Sequence, residues 1–233
     1  MKIKFTVVLA LLIVNVCAWA QSNQFDAKGQ RHGEWKGVYK ETKRIRYKGA
    51  FEHGKEVGVF KFYGNDEYSS LLATRDFSAK DGSSFTIVFD GKNNKLSEGR
   101  EVNKLREGEW KFYHAGKTTV MSVEQYSKGK LMGTRKVYFP SGKIAEEAQY
   151  KDGLKNGNYK KYTEEGIVLE ESVYKDDKLH GLTINRNSEG EVVSKGNFKN
   201  DRKTGIWKFF TKGKLTKEED MTNKKIELIR IRE

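Results

Sequence analysis

The chain has 233 residues, a formal net charge of +13, and 36% hydrophobic, 33% charged and 12% aromatic residues. That length suits one or two ordinary domains, but so little apolar material does not support a thick multilayer core, and so many rings do not suit plain disorder. With one Cys in the whole chain, an intrachain disulfide framework and a Cys-based zinc site are excluded, since both need several cysteines at defined spacings.

The first segment in chain order reads as an export signal. Met1 to Lys4 is basic, Phe5 to Val16 is apolar apart from Thr6 and Asn15, and Ala18-Trp19-Ala20 sets small residues at both positions that a signal peptidase reads. Cleavage is expected after Ala20, giving a signal peptide over 1–20 and a repeat domain over 21–233. The apolar run falls short of the ~20 residues a membrane span needs. A lipoprotein signal acylated at Cys17 is the alternative, but Val16 is bulky where such processing wants a small residue. Removing Lys2 and Lys4 takes the net charge from +13 to +11 and leaves no cysteine. The mature protein is therefore expected to be exported, in the periplasm or the medium.

Beyond this point one short word recurs. It begins at Gly33 (Gly-Glu-Trp-Lys), Gly58 (Gly-Val-Phe-Lys-Phe-Tyr), Gly108 (Gly-Glu-Trp-Lys-Phe-Tyr), Gly133, Gly157, Gly181 and Gly205, at successive spacings of 25, 50, 25, 24, 24 and 24. The double step hides a copy near Gly82, making eight. Each copy reads as a strand carrying the word, a Gly turn such as Ser141-Gly142, and a second strand ending on Phe51, Phe77, Tyr126, Tyr150, Tyr174 or Phe198. A tight turn such as Lys128-Gly129 or Asp152-Gly153 then leads on. Gly, Asn and Asp take positive φ cheaply, as hairpin turns require, and such short connections permit only antiparallel neighbours. The expected fold is all-β: an elongated single-layer meander of eight hairpin repeats of 24–25 residues, about sixteen strands and on the order of 75 Å long. Half repeats at Gln24 to His32 and Lys225 to Ile231 are expected to cap its ends. The segment from Asn65 to Leu105 departs most from the pattern.

The G-x-W-K-x-Y word, the Gly turn and the second-strand aromatic followed by Lys-Asp-Gly resemble MORN repeats, in the variant found in bacterial YwqK-like proteins. The resemblance implies a single-layer antiparallel sheet without an active site, used for contact with proteins or membranes. YwqK-like proteins are commonly labelled putative antitoxins, a label to which an export signal is foreign.

Strand alternation sorts the word into two ladders. Trp35, Phe60, Phe62, Trp110, Phe112, Val137, Tyr159, Trp207 and Phe209 form one, expected to hold the repeats together by stacking each ring on its counterpart two strands away. Lys36, Lys61, Lys111, Lys136, Lys160 and Lys208, with Tyr63, Tyr113, Tyr138 and Tyr162, form the other. This second ladder is the candidate binding strip for an anionic surface. The competing reading is a solvated face on which Lys stems cover Tyr rings, its charge reduced by Glu124, Glu147, Glu171 and Glu218.

Enzyme signatures are mostly missing from the sequence. The four His lie beside turn glycines or at a strand end without metal-ligand spacing, the paired acids recur with the period, and no nucleophile elbow or phosphate-cradling loop occurs. No catalytic residue, cofactor, metal or small-molecule substrate is expected. The reading is a non-catalytic scaffold for a protein partner at the bacterial envelope. The alternatives are a binder of anionic lipid or cell-surface polymer, or an antitoxin or immunity protein; nucleic acid is not expected.

Overall fold

A computed structural model describes residues 22–79 and 81–222. The expected signal peptide and the expected closing strand at Lys225 to Ile231 lie outside the described residues.

The described chain is strand throughout, with turns between. Its strands are β1 (Gln24–Phe25), β2 (Arg31–Val38), β3 (Ile45–Glu52), β4 (Lys55–Tyr63), β5 (Leu71–Asp76), β6 (Ser83–Phe89), β7 (Lys95–Val102), β8 (Leu105–Tyr113) and β9 (Val120–Ser127). They continue as β10 (Lys130–Tyr138), β11 (Ile144–Lys151), β12 (Leu154–Tyr162), β13 (Val168–Lys175), β14 (Lys178–Leu179), β15 (Gly181–Arg186), β16 (Val192–Lys199), β17 (Arg202–Thr211) and β18 (Lys214–Asp220). Each pairs antiparallel with its neighbours in sequence, giving one open meander. β14 and β15 are two pieces of one strand beside β13, interrupted at His180.

The turns follow from local chemistry. His53, Lys128, Asp152, Asp176 and Asn200 each take a positive φ followed by a second positive-φ residue, usually Gly, the backbone a two-residue hairpin demands. A second irregularity recurs at the opposite end of each hairpin. One residue of the second strand is left over between registered pairs, as Met121 between Val120 (opposite Tyr113) and Ser122 (opposite Phe112). Leu72, Leu96, Ala145, Leu169 and Val193 hold the equivalent place. Such bulges increase the local twist.

The register also corrects the third repeat. Thr86 pairs with Gly99 as Trp35 pairs with Gly49, and Phe89 with Lys95 as Tyr113 with Val120. Ser84 therefore occupies the place of the word's first glycine, two residues beyond Gly82. The longer connection between β5 and β6 absorbs the difference. The Asn65 to Leu105 segment otherwise keeps the meander.

Candidate functional site

A single sheet has no second layer to bury its rings, and the chain solves this within the sheet. Phe60, Trp110 and Trp207 are each 1% exposed. Each lies flat over a glycine of the preceding strand: a Cβ built on Gly49 would meet the Phe60 ring at 2.4 Å, one on Gly99 the Trp110 ring at 2.4 Å, and one on Gly196 the Trp207 ring at 2.4 Å. The indole N–H of Trp110 donates to the Arg100 carbonyl at 2.9 Å and that of Trp207 to the Asn197 carbonyl at 3.1 Å, one residue past each glycine. A cation covers the outer side. Arg31 lies 4.9 Å from the Trp35 centroid, Arg106 4.6 Å from Trp110, Lys155 4.8 Å from Tyr159 and Lys203 4.2 Å from Trp207, each two residues before the word's glycine. Second-strand rings close the sides edge-on: Phe51 to Phe60 at 5.2 Å and 85°, Tyr174 to Tyr159 at 5.6 Å and 70°, Phe198 to Trp207 at 5.1 Å and 84°. The expected stacking of each ring on its counterpart two strands away is thus replaced by edge contacts to the adjacent strand.

Where the ring is absent, its seat changes with it. Arg135 takes the ring position after Gly133, and the residue beneath is Glu124, whose Oε1 accepts from Arg135 Nε at 2.9 Å. Glu146, which also pairs with Arg135, accepts from the Tyr159 hydroxyl at 3.2 Å, and Glu124 from Tyr126 at 2.5 Å. Thr183 donates to Ser172 at 3.1 Å in the same pair of positions. Burial and the Glu146 charge push the Tyr159 phenol up.

On the opposite face, the register strings the candidate lysines into one row. Lys36, Lys48, Lys61, Thr74, Ile87, Glu98, Lys111, Val123, Lys136, Glu147, Lys160 and Glu171 pair successively across β2 to β13, and Ile184, Lys195, Lys208 and Glu218 continue to β18. Tyr63, Tyr113, Tyr138 and Tyr162 stand two residues farther along their strands, in the adjoining row.

Two of these repeats match a known family. The family model described as MORN repeat variant matches residues 133–152 and 155–176. No curated protein is significantly similar to the chain. The matched residues run from β10 to the β13–β14 turn, so the MORN word, its Lys and its Tyr have known structural places here. Across the matched residues, acids alternate with the lysines of the row, and a further Lys–Glu pair closes it at β17 and β18. Lys136 Nζ lies 3.7 Å from Glu147, Lys160 3.4 Å from Glu171 and Lys208 2.8 Å from Glu218. Arg186 Nη2 reaches Glu171 at 2.7 Å, and this contact, then Lys160, lowers the Glu171 pKa. Tyr113 donates to Glu98, and Tyr162 to Glu147 at 2.8 Å. Burial first, and then these carboxylates, push both phenols up to about 12. Glu124, expected to neutralise this strip, instead lies on the ring face opposite Trp110.

The surface offers shallow open hollows. One of about 300 Å³ on the ring face is lined by Arg31, Arg46, Tyr47, Phe51, Glu56, Phe60 and Phe62. Glu56 stands there where the other ringed repeats carry their covering cation. Among the described residues no group of three or more His, Cys, Asp or Glu is placed to hold a metal ion. His53 Nδ1 and Asp26 lie 2.7 Å apart, and His114 Nε2 lies 3.1 Å from the Tyr138 carbonyl. The ring seats and their covering cations were not read from the sequence. The signals were there: a small residue two places before the second-strand aromatic at Gly49, Ala148 and Gly196, and a cation two places before the word's glycine at Arg31, Arg106, Lys155 and Lys203.

Proposed function

We propose that this is an exported, non-catalytic repeat scaffold that mediates protein–protein interaction at the bacterial envelope. The sequential pairing of every strand carries the reading. Among the described residues it leaves two long faces with shallow open hollows and much contact surface per residue. The match to the MORN repeat variant supports a repeat-scaffold, protein-binding role, and the N-terminal pattern ending at Ala20 supports export. Crosslinking the mature protein in its native envelope, followed by mass spectrometry, is expected to recover a reproducible partner. Recovery of bulk envelope proteins alone would overturn the scaffold reading. Intact-mass measurement is expected to find a chain beginning at Gln21, and retention of residues 1–20 would overturn the export reading.

An anionic lipid or polymer spread along the whole lysine row is the weaker reading, because Glu98, Glu147, Glu171 and Glu218 stand in that row at the same height.

A further inference from the structure

The lysine row is not uniform. From β6 onward each lysine has an acid or an apolar residue on at least one side. Lys195, opposite Lys208, also lies 5.6 Å from the Phe210 ring. At the other end the pattern breaks. Lys36 pairs directly with Lys48, and Lys48 directly with Lys61. Among the described residues none of these three side chains has an ion-pair partner. Like charges directly opposite on a sheet are destabilising, so this stretch works against its own fold.

We propose that Lys36, Lys48 and Lys61 form the docking point for an acidic segment of a protein partner, whose carboxylates relieve this repulsion on binding. The assignment rests on the protein-scaffold reading and deepens it. Three lysines on adjacent strands span about 10 Å. Two carboxylates roughly 5–7 Å apart, as on alternate residues of an extended segment or at i, i+4 of a helix, can each sit between two ammonium groups. Two residues along the same strands lie Val38, 45% exposed, and Tyr63, with Ile45 and Leu71 opposite them. The Tyr63 hydroxyl has no partner among the described residues. The docking point therefore adds an apolar shelf and a free donor to its three charges, as a protein segment with mixed side chains requires.

A bilayer fits less well. Three basic residues fall below the cluster of about 4–8 that marks an anionic-lipid site, and a membrane lying flat on this face would press its headgroups against Glu98, Glu147, Glu171 and Glu218. A nucleic-acid backbone meets the same acids.

The test uses the mature chain and a labelled peptide in which two Glu on alternate positions are set among Leu and Ser, with a Gln-for-Glu control peptide. Fluorescence anisotropy is expected to show binding of the Glu peptide that weakens with salt. About tenfold weaker binding to the control peptide and to Lys48→Ala is also expected, with binding unchanged in Lys160→Ala. Lys48→Glu is expected to melt at a higher temperature than the parent while losing the peptide. No binding of the Glu peptide, equal binding by Lys48→Ala, or Lys48-dependent binding to phosphatidylserine vesicles without peptide binding would each overturn the proposal. None of these outcomes touches the scaffold reading, which the envelope crosslinking tests separately with the parent chain.

Discussion

Gly196 has no side chain because Trp207 occupies the space one would fill. Its backbone φ is not in the left-handed region, unlike that of Gly205 at 64°, so the two glycines serve different ends. One makes room, and the other lets β17 take a left-handed kink where its register with β16 shifts. Gly196→Ala is therefore expected to cost about 1–3 kcal/mol through overpacking, read as a lower urea midpoint at an unchanged slope. The phenols on the lysine face give a second handle. Tyr113 and Tyr162 have folded-state pKa values of about 12, above the ordinary 10.0. A raised pKa means their contribution to stability is fully present below about pH 10 and is lost as pH rises toward 12. Tyr113→Phe is expected to flatten part of that alkaline loss, measured as melting temperature against pH between 9 and 12. Equal slopes in the variant and the parent would show that the Glu98 contact has no such part.

At the scale of the strand, the liability of an open sheet lies at its ends. The chain meets it at the N-terminal edge with a side chain that imitates a strand. Asn23 accepts from the Lys36 N–H through Oδ1 at 2.8 Å and donates to the Lys36 carbonyl through Nδ2 at 3.0 Å. Its own N–H reaches the Glu34 carbonyl at 2.8 Å, and Phe25 covers Trp35 edge-on at 5.2 Å. Unpaired edges template association. Asn23→Ala frees both polar groups of Lys36, and sedimentation velocity is expected to show a concentration-dependent larger species that the parent lacks. The strands themselves were legible in the sequence because turn glycines and alternating residues fix period and register together. The Asn23 contact to Lys36 was not, since a lone Asn before the first repeat carries no periodic signal. Nor was the Arg135–Glu124 pair: from sequence, Glu124 is one of several recurring second-strand acids, and only the register places it beneath Arg135 rather than beside a lysine.

For the whole molecule, the repeat spacing stated the architecture and the partners within it stayed hidden. Spacing reports that units are equivalent, whereas the charge on the lysine row depends on which residues become neighbours across strands. Lys48 lies in a second strand outside the word, and it turns two separated lysines into a run of three. Equivalence of units has a mechanical consequence that a globular domain does not share. Each hairpin touches only the next, so stability is close to a sum of unit and junction terms. Deleting residues 133–156 joins Met132 to Gly157, replacing one Gly start by another and keeping the faces in phase. The ring beneath the new junction changes, however. Glu124 would then lie under Tyr159, whose usual seat is Ala148, and Arg135 would be gone. The shortened chain is expected to keep its β-sheet circular dichroism and to unfold in urea with a slope lower by about one-eighth, in proportion to the surface lost. Its midpoint is expected to fall because Glu124 loses its guanidinium partner, and Glu124→Ala in the same background is expected to raise it again. Collapse of the deletion variant to an unfolded chain, with no recovery from Glu124→Ala, would mean that cohesion is not carried from neighbour to neighbour.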